Sequence, residues 1–213
     1  MALLHDAEIK PTKLELLRGW MPSQSWYGGD PAAGLERVGA FRFDDPQGEV
    51  GVETFLVRAG DTPTQQVPLT YRAEPFAAGE PWLIGTMEHS VLGLRWVYDA
   101  CGDPVYAATL AGAILSGSTQ AQEYVEVDGE LKARPALADV KGSGGGGGEA
   151  AIDPIEELTV ETTGGLTILT AGQYVLNVVR TPGASELPSN VETLSGTWPG
   201  QTHPVLLAFA ASD

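Results

Sequence analysis

The side chains able to move protons or attack a substrate are few and scattered along the chain. Glu88, His89 and Ser90 stand side by side, and Asp99, Cys101 and Asp103 fall within one short stretch. Serine, histidine and carboxylate make a triad only when the fold assembles them in space, and adjacency alone does not do so. Two carboxyls cleave a glycoside when they face each other across roughly 5 to 10 Å of cleft. Asp103, however, directly precedes Pro104 and reads as the N-cap of a helix. The single cysteine, Cys101, can form no internal disulfide, has neither a base nor an orienting group beside it in sequence, and reads as a packing residue. His5, His89 and His203 lie too far apart for zinc-ligand spacing. No catalytic residue, metal-ligand set or cofactor is assigned from these patterns.

Two further features invite a binding role. Asn177 interrupts an apolar run between Tyr174-Val175-Leu176 and Val178-Val179, where an isolated amide either meets solvent or serves something polar. Trp20, Trp26, Tyr27, Trp82, Trp96 and Trp198 are numerous enough for a sugar-stacking surface, and equally suited to core or junction packing. Trp26 and Tyr27 sit in the Gly-rich turn Ser25 to Pro31, so they are expected to be the most exposed and are the possible ligand-binding residues. The glycine run from Gly144 to Gly148 has no Gly-Lys-Ser/Thr to close it as a phosphate loop and reads as a flexible linker or loop tip.

The composition limits the partners. A formal charge of -16, from 28 acids against 12 bases, disfavours nucleic acid and anionic membranes, which are bound by Lys and Arg clusters. An apolar fraction of 43% and a mean hydropathy of -0.04 are those of a globular chain. No apolar run approaches the roughly 18 to 20 residues that span a bilayer, and the first residues show no secretory signal, so a cytoplasmic location is expected.

The elements that must carry these residues show in the periodicity, which predicts an α+β fold of antiparallel β-sheets with few helices. Thr12 and Glu15 form a capping-box signal for a helix ending near Trp20. A second helix is predicted over 103–116, closed by Gly117. Strands are predicted at 35–43, 49–58, 65–72, 82–86 and 94–98, with Pro68 placing the third at an edge or a bulge. A hairpin follows around Asp128-Gly129. Beyond the glycine run come a strand over 155–163, a hairpin pair through 180, and two last strands over 191–198 and 204–209.

Three stretches taken together carry a resemblance: Leu17-Arg18-Gly19-Trp20-Met21-Pro22-Ser23-Gln24-Ser25-Trp26-Tyr27-Gly28-Gly29, Gln66-Val67-Pro68-Leu69-Thr70-Tyr71-Arg72, and Val97-Tyr98-Asp99-Ala100-Cys101-Gly102-Asp103-Pro104. They resemble the N-terminal cap of actinobacterial maltokinases, sugar kinases of the aminoglycoside phosphotransferase-like group that use ATP in trehalose and α-glucan metabolism. The resemblance implies a cystatin-like cap, an antiparallel sheet cradling a helix, followed by a small β-rich portion like a kinase N-lobe. It implies that the hairpin from Thr167 to Arg180 corresponds to the start of the ATP-binding lobe, with the phosphate-binding lysine position falling on Asn177. An amide carries no charge to set against phosphate oxygens. The family's His-Gly-Asp loop does not occur in the chain either: His89 is followed by Ser90 and His203 by Pro204.

The expected organisation is a cap-like domain over 1–134, a Gly-rich linker or loop over 135–150 and a β-rich portion over 151–213. Three functional readings stay open: a non-catalytic cap-like binding or regulatory protein linked to α-glucan metabolism, with a protein or glucan as partner; a sugar kinase or glucan-active enzyme with an unrecognised site; and a carbohydrate-binding module.

Overall fold

Each predicted helix begins at the residue whose side chain can accept an orphan amide. The computed structural model of the chain describes residues 2–4, 7–127, 129–145, 152–184 and 189–211. In chain order its elements are β1 (Ala2–Leu4), β2 (Ile9–Lys10), α1 (Lys13–Trp20), β3 (Leu35–Phe43), β4 (Gly51–Ala59), β5 (Gln65–Arg72), β6 (Leu83–His89) and β7 (Gly93–Asp99). Then come α2 (Pro104–Ser116), β8 (Glu123–Val127), β9 (Glu130–Ala133), β10 (Asp139–Gly142), β11 (Leu158–Thr163), β12 (Leu166–Ala171), β13 (Tyr174–Val179), β14 (Glu192–Trp198) and β15 (Gln201–Ala211). Thr12 and Glu15 close a reciprocal capping box on α1, and Asp103 accepts from the Val105 amide at the start of α2.

The strands form two six-stranded sheets and one small one. The cap sheet has the order β2-β6-β7-β5-β4-β3 and the second sheet β10-β14-β15-β13-β12-β11, every neighbour antiparallel. The third, β1-β8-β9, contains a parallel pair between β1 and β8. The α+β reading, mostly β with few helices, is what the structure shows. Helix α1 packs on one face of the cap sheet through Leu17, and Met21 just after it joins the same cluster with Phe55, Val57 and Val97. Helix α2 lies against the second sheet, and its core includes Leu176, Val178 and Leu194 of that sheet together with Phe41 and Leu56 of the cap sheet. One continuous core therefore joins the N-terminal and C-terminal strands.

Two expectations change. Pro68 lies in β5, between β4 and β7, so its strand is interior to the sheet. Its missing donor is tolerated for a local reason. Gln66 turns its amide away from β4 to the Arg180 carbonyl, and two residues on Pro68 faces the same side, just before β7 pairing begins at Leu69. Residues 135–150, expected as a linker or loop, contain β10, which pairs with β14. The first glycines of that stretch sit on the end of α2: a Cβ on Gly142 would come within 2.0 Å of the Ala113 carbonyl oxygen, and one on Gly144 within 2.0 Å of that of Leu115. The Gly144 amide caps the Ile114 carbonyl. Only glycine lets the backbone approach this closely. Gly146 to Gly148 lie outside the described residues, as do His5 and Asp128.

Candidate functional site at the junction of the large sheets

Strand β13 delivers two polar side chains to opposite faces. Leu176 and Val178 point into the core beneath α2, and Arg180 follows them at the same period. Asn177 points the other way, between its cross-strand neighbours Ile168 and Phe209, and is buried. Two surface grooves, of about 390 and 180 Å³, are lined by other residues.

Arg180 is fully buried and is the side chain on which the junction closes. Its Nη2 donates to Asp99 Oδ2 at 2.7 Å, its Nε to Thr167 Oγ1 at 2.8 Å, and its guanidinium lies 4.6 Å from the centre of the Trp26 ring. Asp99 also accepts from the Cys101 amide. The main chain reinforces this contact. Gln66 of β5 donates its side-chain amide to the carbonyls of Val179 and Leu207, and its own N–H to Arg180. A cap residue thus replaces part of the ladder that the second sheet lacks at this corner, and the Val179, Leu207 and Arg180 carbonyls each gain a donor.

These contacts settle what the chemistry-bearing residues do. Trp26, expected to be exposed, is 8% exposed, because the guanidinium covers one side and Trp20 packs 5.8 Å away. Tyr27 is half-buried with Gly29 folded beneath its ring. Trp198 is buried in the shared core, and Trp20, Trp82 and Trp96 are half-buried. Asp103 is held by Arg72 through two hydrogen bonds of 2.8 and 2.7 Å while it caps α2. Asp99 and Asp103 are each committed to an arginine and face no common cleft. Burial pushes the Cys101 thiol well above its ordinary range, with Arg180 opposing this and Asp99 adding to it, so the thiol stays protonated and unreactive at neutral pH. His89 Nδ1 accepts from the Val91 and Leu92 amides and Ser90 Oγ from that of Glu8, while Glu88 is exposed. These three residues shape a hairpin tip. Among the described residues no three His, Cys, Asp or Glu side chains gather as a metal site would require.

Residues 20–103 match the family model of the maltokinase N-terminal cap domain. The match runs from the last residue of α1 to the N-cap of α2, so it spans β3 to β7, and the cap resemblance read from residue landmarks stands over that range. The second sheet, with Asn177, lies outside the matched residues. No curated protein matches the chain.

Sequence reasoning passed over a second buried charge group on the α1 side of the cap. Glu53 Oε2 accepts from Lys13 Nζ at 2.5 Å and Tyr71 Oη at 2.8 Å, and Arg42 Nη2 lies at 3.1 Å. Burial opposes ionisation of Glu53, but Arg42 and Lys13 outweigh it and hold the carboxyl at about 2. The signal for Arg180 was present in the composition: from 142 to 213 it is the sole Lys or Arg.

Proposed function

We propose that the chain is a non-catalytic, cap-like binding or regulatory protein, linked through its maltokinase-type cap to trehalose and α-glucan metabolism. The observation that carries this reading is the fate of positive charge in the part of the chain that follows β10. Phosphoryl transfer depends on cations set against the nucleotide phosphates. The single cation of residues 142–213 is sealed beneath Trp26 and neutralised by Asp99. By resemblance, Asn177 occupies the position of the phosphate-binding lysine, and its amide cannot replace an ammonium there. What remains is a body with one shared core in which a cap is joined to a hairpin that presents no positive charge to phosphate.

The test measures ATP turnover by the intact chain with maltose or glucosamine, and in parallel the activity of enzymes of α-glucan metabolism when the chain is added. Turnover at background together with a changed rate in a partner enzyme supports the reading. Turnover that is abolished by substitution between Thr163 and Asn177 overturns it in favour of a sugar kinase.

A further inference from the structure

A β-sheet edge exposes a row of unpaired N–H and C=O groups, and proteins guard such edges with lysine, proline, bulges, short strands or covering loops. The guards are visible on three of the four edges of the two large sheets. Edge strand β10 is four residues long and carries Lys141, which bridges to Thr119, while its Val140 amide is taken by Gln120. Edge strand β3 has a bulge between Arg37 and Gly39, and its Arg42 carbonyl is taken by the Ala121 amide. On the far side of the cap sheet, β2 is two residues long.

Among the described residues, strand β11 shows no lysine, proline, bulge or shortening of this kind. It is six residues in unbroken register with β12, contains neither lysine nor proline, and has exposed residues at Thr159, Glu161, Thr162 and Thr163. The turn after it, Gly164-Gly165 with φ of 55° and 86°, is a two-residue hairpin turn with both central residues at positive φ. The flanking pair Thr163 and Leu166 therefore exchanges both hydrogen bonds, so Leu158, Val160 and Thr162 turn their backbone groups outward. Among the described residues no backbone bond reaches that side.

The charge around this edge has one sign. Asp153, Glu156, Glu157 and Glu161 are exposed, and residues 152–179 contain no Lys or Arg. A groove of about 390 Å³ at the start of β11 is walled by Asp153, Glu156 and Glu157 and by Tyr174. A second copy of the chain would bring these acids against themselves, and like charges across a strand pair are unfavourable.

We propose that the free edge of β11 is a docking strand for an extended, basic segment of a partner protein. The segment adds to the second sheet as a further antiparallel strand, with lysine or arginine beside Glu161 and in the acidic groove. Main-chain bonds to Leu158, Val160 and Thr162 supply affinity, and the acids select the sign of charge. The inference holds whether or not the chain turns over ATP.

The test uses fluorescein-labelled eight-residue peptides in fluorescence anisotropy with the intact chain. A peptide of alternating lysine and valine is expected to bind at least tenfold more tightly than one of alternating lysine and proline, which has the same charge but cannot pair as a strand. The glutamate and valine counterpart is expected not to bind. Thr162→Pro removes an outward amide and leaves the β12 ladder intact, so it should weaken the lysine-valine peptide at least tenfold, and Glu161→Lys should weaken it severalfold. Equal affinity for the two lysine peptides, or unchanged affinity in Thr162→Pro, overturns the proposal. Hydrogen exchange on the unmodified chain is an independent check: the peptide should slow exchange of the Val160 and Thr162 amides, and unchanged exchange overturns the proposal even if the proline variant does not fold. A dimer in sedimentation that Thr162→Pro dissolves, with no peptide binding, assigns the edge to a second copy instead.

Discussion

Glu53 and Asp99 are both buried carboxylates of the cap sheet that bind arginine, yet they hold different things together. Glu53 collects Lys13, Arg42 and Tyr71, binding α1 and β3 to the sheet they already pack on, and its basic partners keep 17% and 16% of their side chains in solvent. Asp99 has one charged partner, Arg180, 81 residues away, and both side chains are essentially dry. The first group fastens a helix within the cap. The second fastens the cap to another sheet, and the absence of solvent leaves neither partner an alternative if the other is lost.

That contrast predicts unequal damage. Arg180→Met leaves the Asp99 carboxylate buried and unpaired and should cost about 3 to 5 kcal/mol in urea unfolding. A double variant, Asp99→Leu with Arg180→Met, should recover most of that loss, since a dry pair replaced by apolar groups is often near neutral. A single-variant loss below about 1 kcal/mol would break the comparison. Glu53→Gln leaves Lys13 without its carboxylate and Arg42 with Glu123 at 3.5 Å, and both cations still reach water, so its cost should be smaller, about 2 kcal/mol.

Acid tests the Glu53 group directly. The folded carboxyl of Glu53 lies at about 2, below its usual 4.5. Its contribution is therefore present above about pH 4.5 and lost as pH falls toward 2. The unfolding midpoint should drop over that window, and less steeply in Glu53→Gln. An identical acid profile in both proteins would remove Glu53 as the source. The smallest effect is expected from Thr12→Ala, which opens the capping box on α1 and should cost about 1 kcal/mol. A loss matching that of Glu53→Gln would mean that the cap, not the charge group, holds the helix.

The parts of the fold legible in the sequence were those decided locally. Thr12, Glu15, Asp103 and Gly117 announced both helices because capping is settled within a few residues. Pairings between distant segments left no comparable mark. Nothing in Ala2–Leu4 specifies a parallel partner at Glu123, and nothing in the glycine-rich stretch separates β10 from the glycines after it. The junction was hidden for the same reason. Trp26 looked exposed because its neighbours are turn residues, and its burial depends on an arginine 154 positions later. The family landmarks were readable since they lie within the cap itself.

The core shared around α2 has a consequence for where the chain tolerates a break. Phe41 and Leu56 precede the glycine run, Leu176 and Leu194 come after it, and the Asp99–Arg180 pair also straddles it. A chain cut between Gly145 and Ile152 would consist of two pieces, each exposing the apolar face that the other covers. Neither should behave well alone, but mixed they should find each other and rebuild one body, so the position suits a split reporter whose halves are reunited by the protein's own interior.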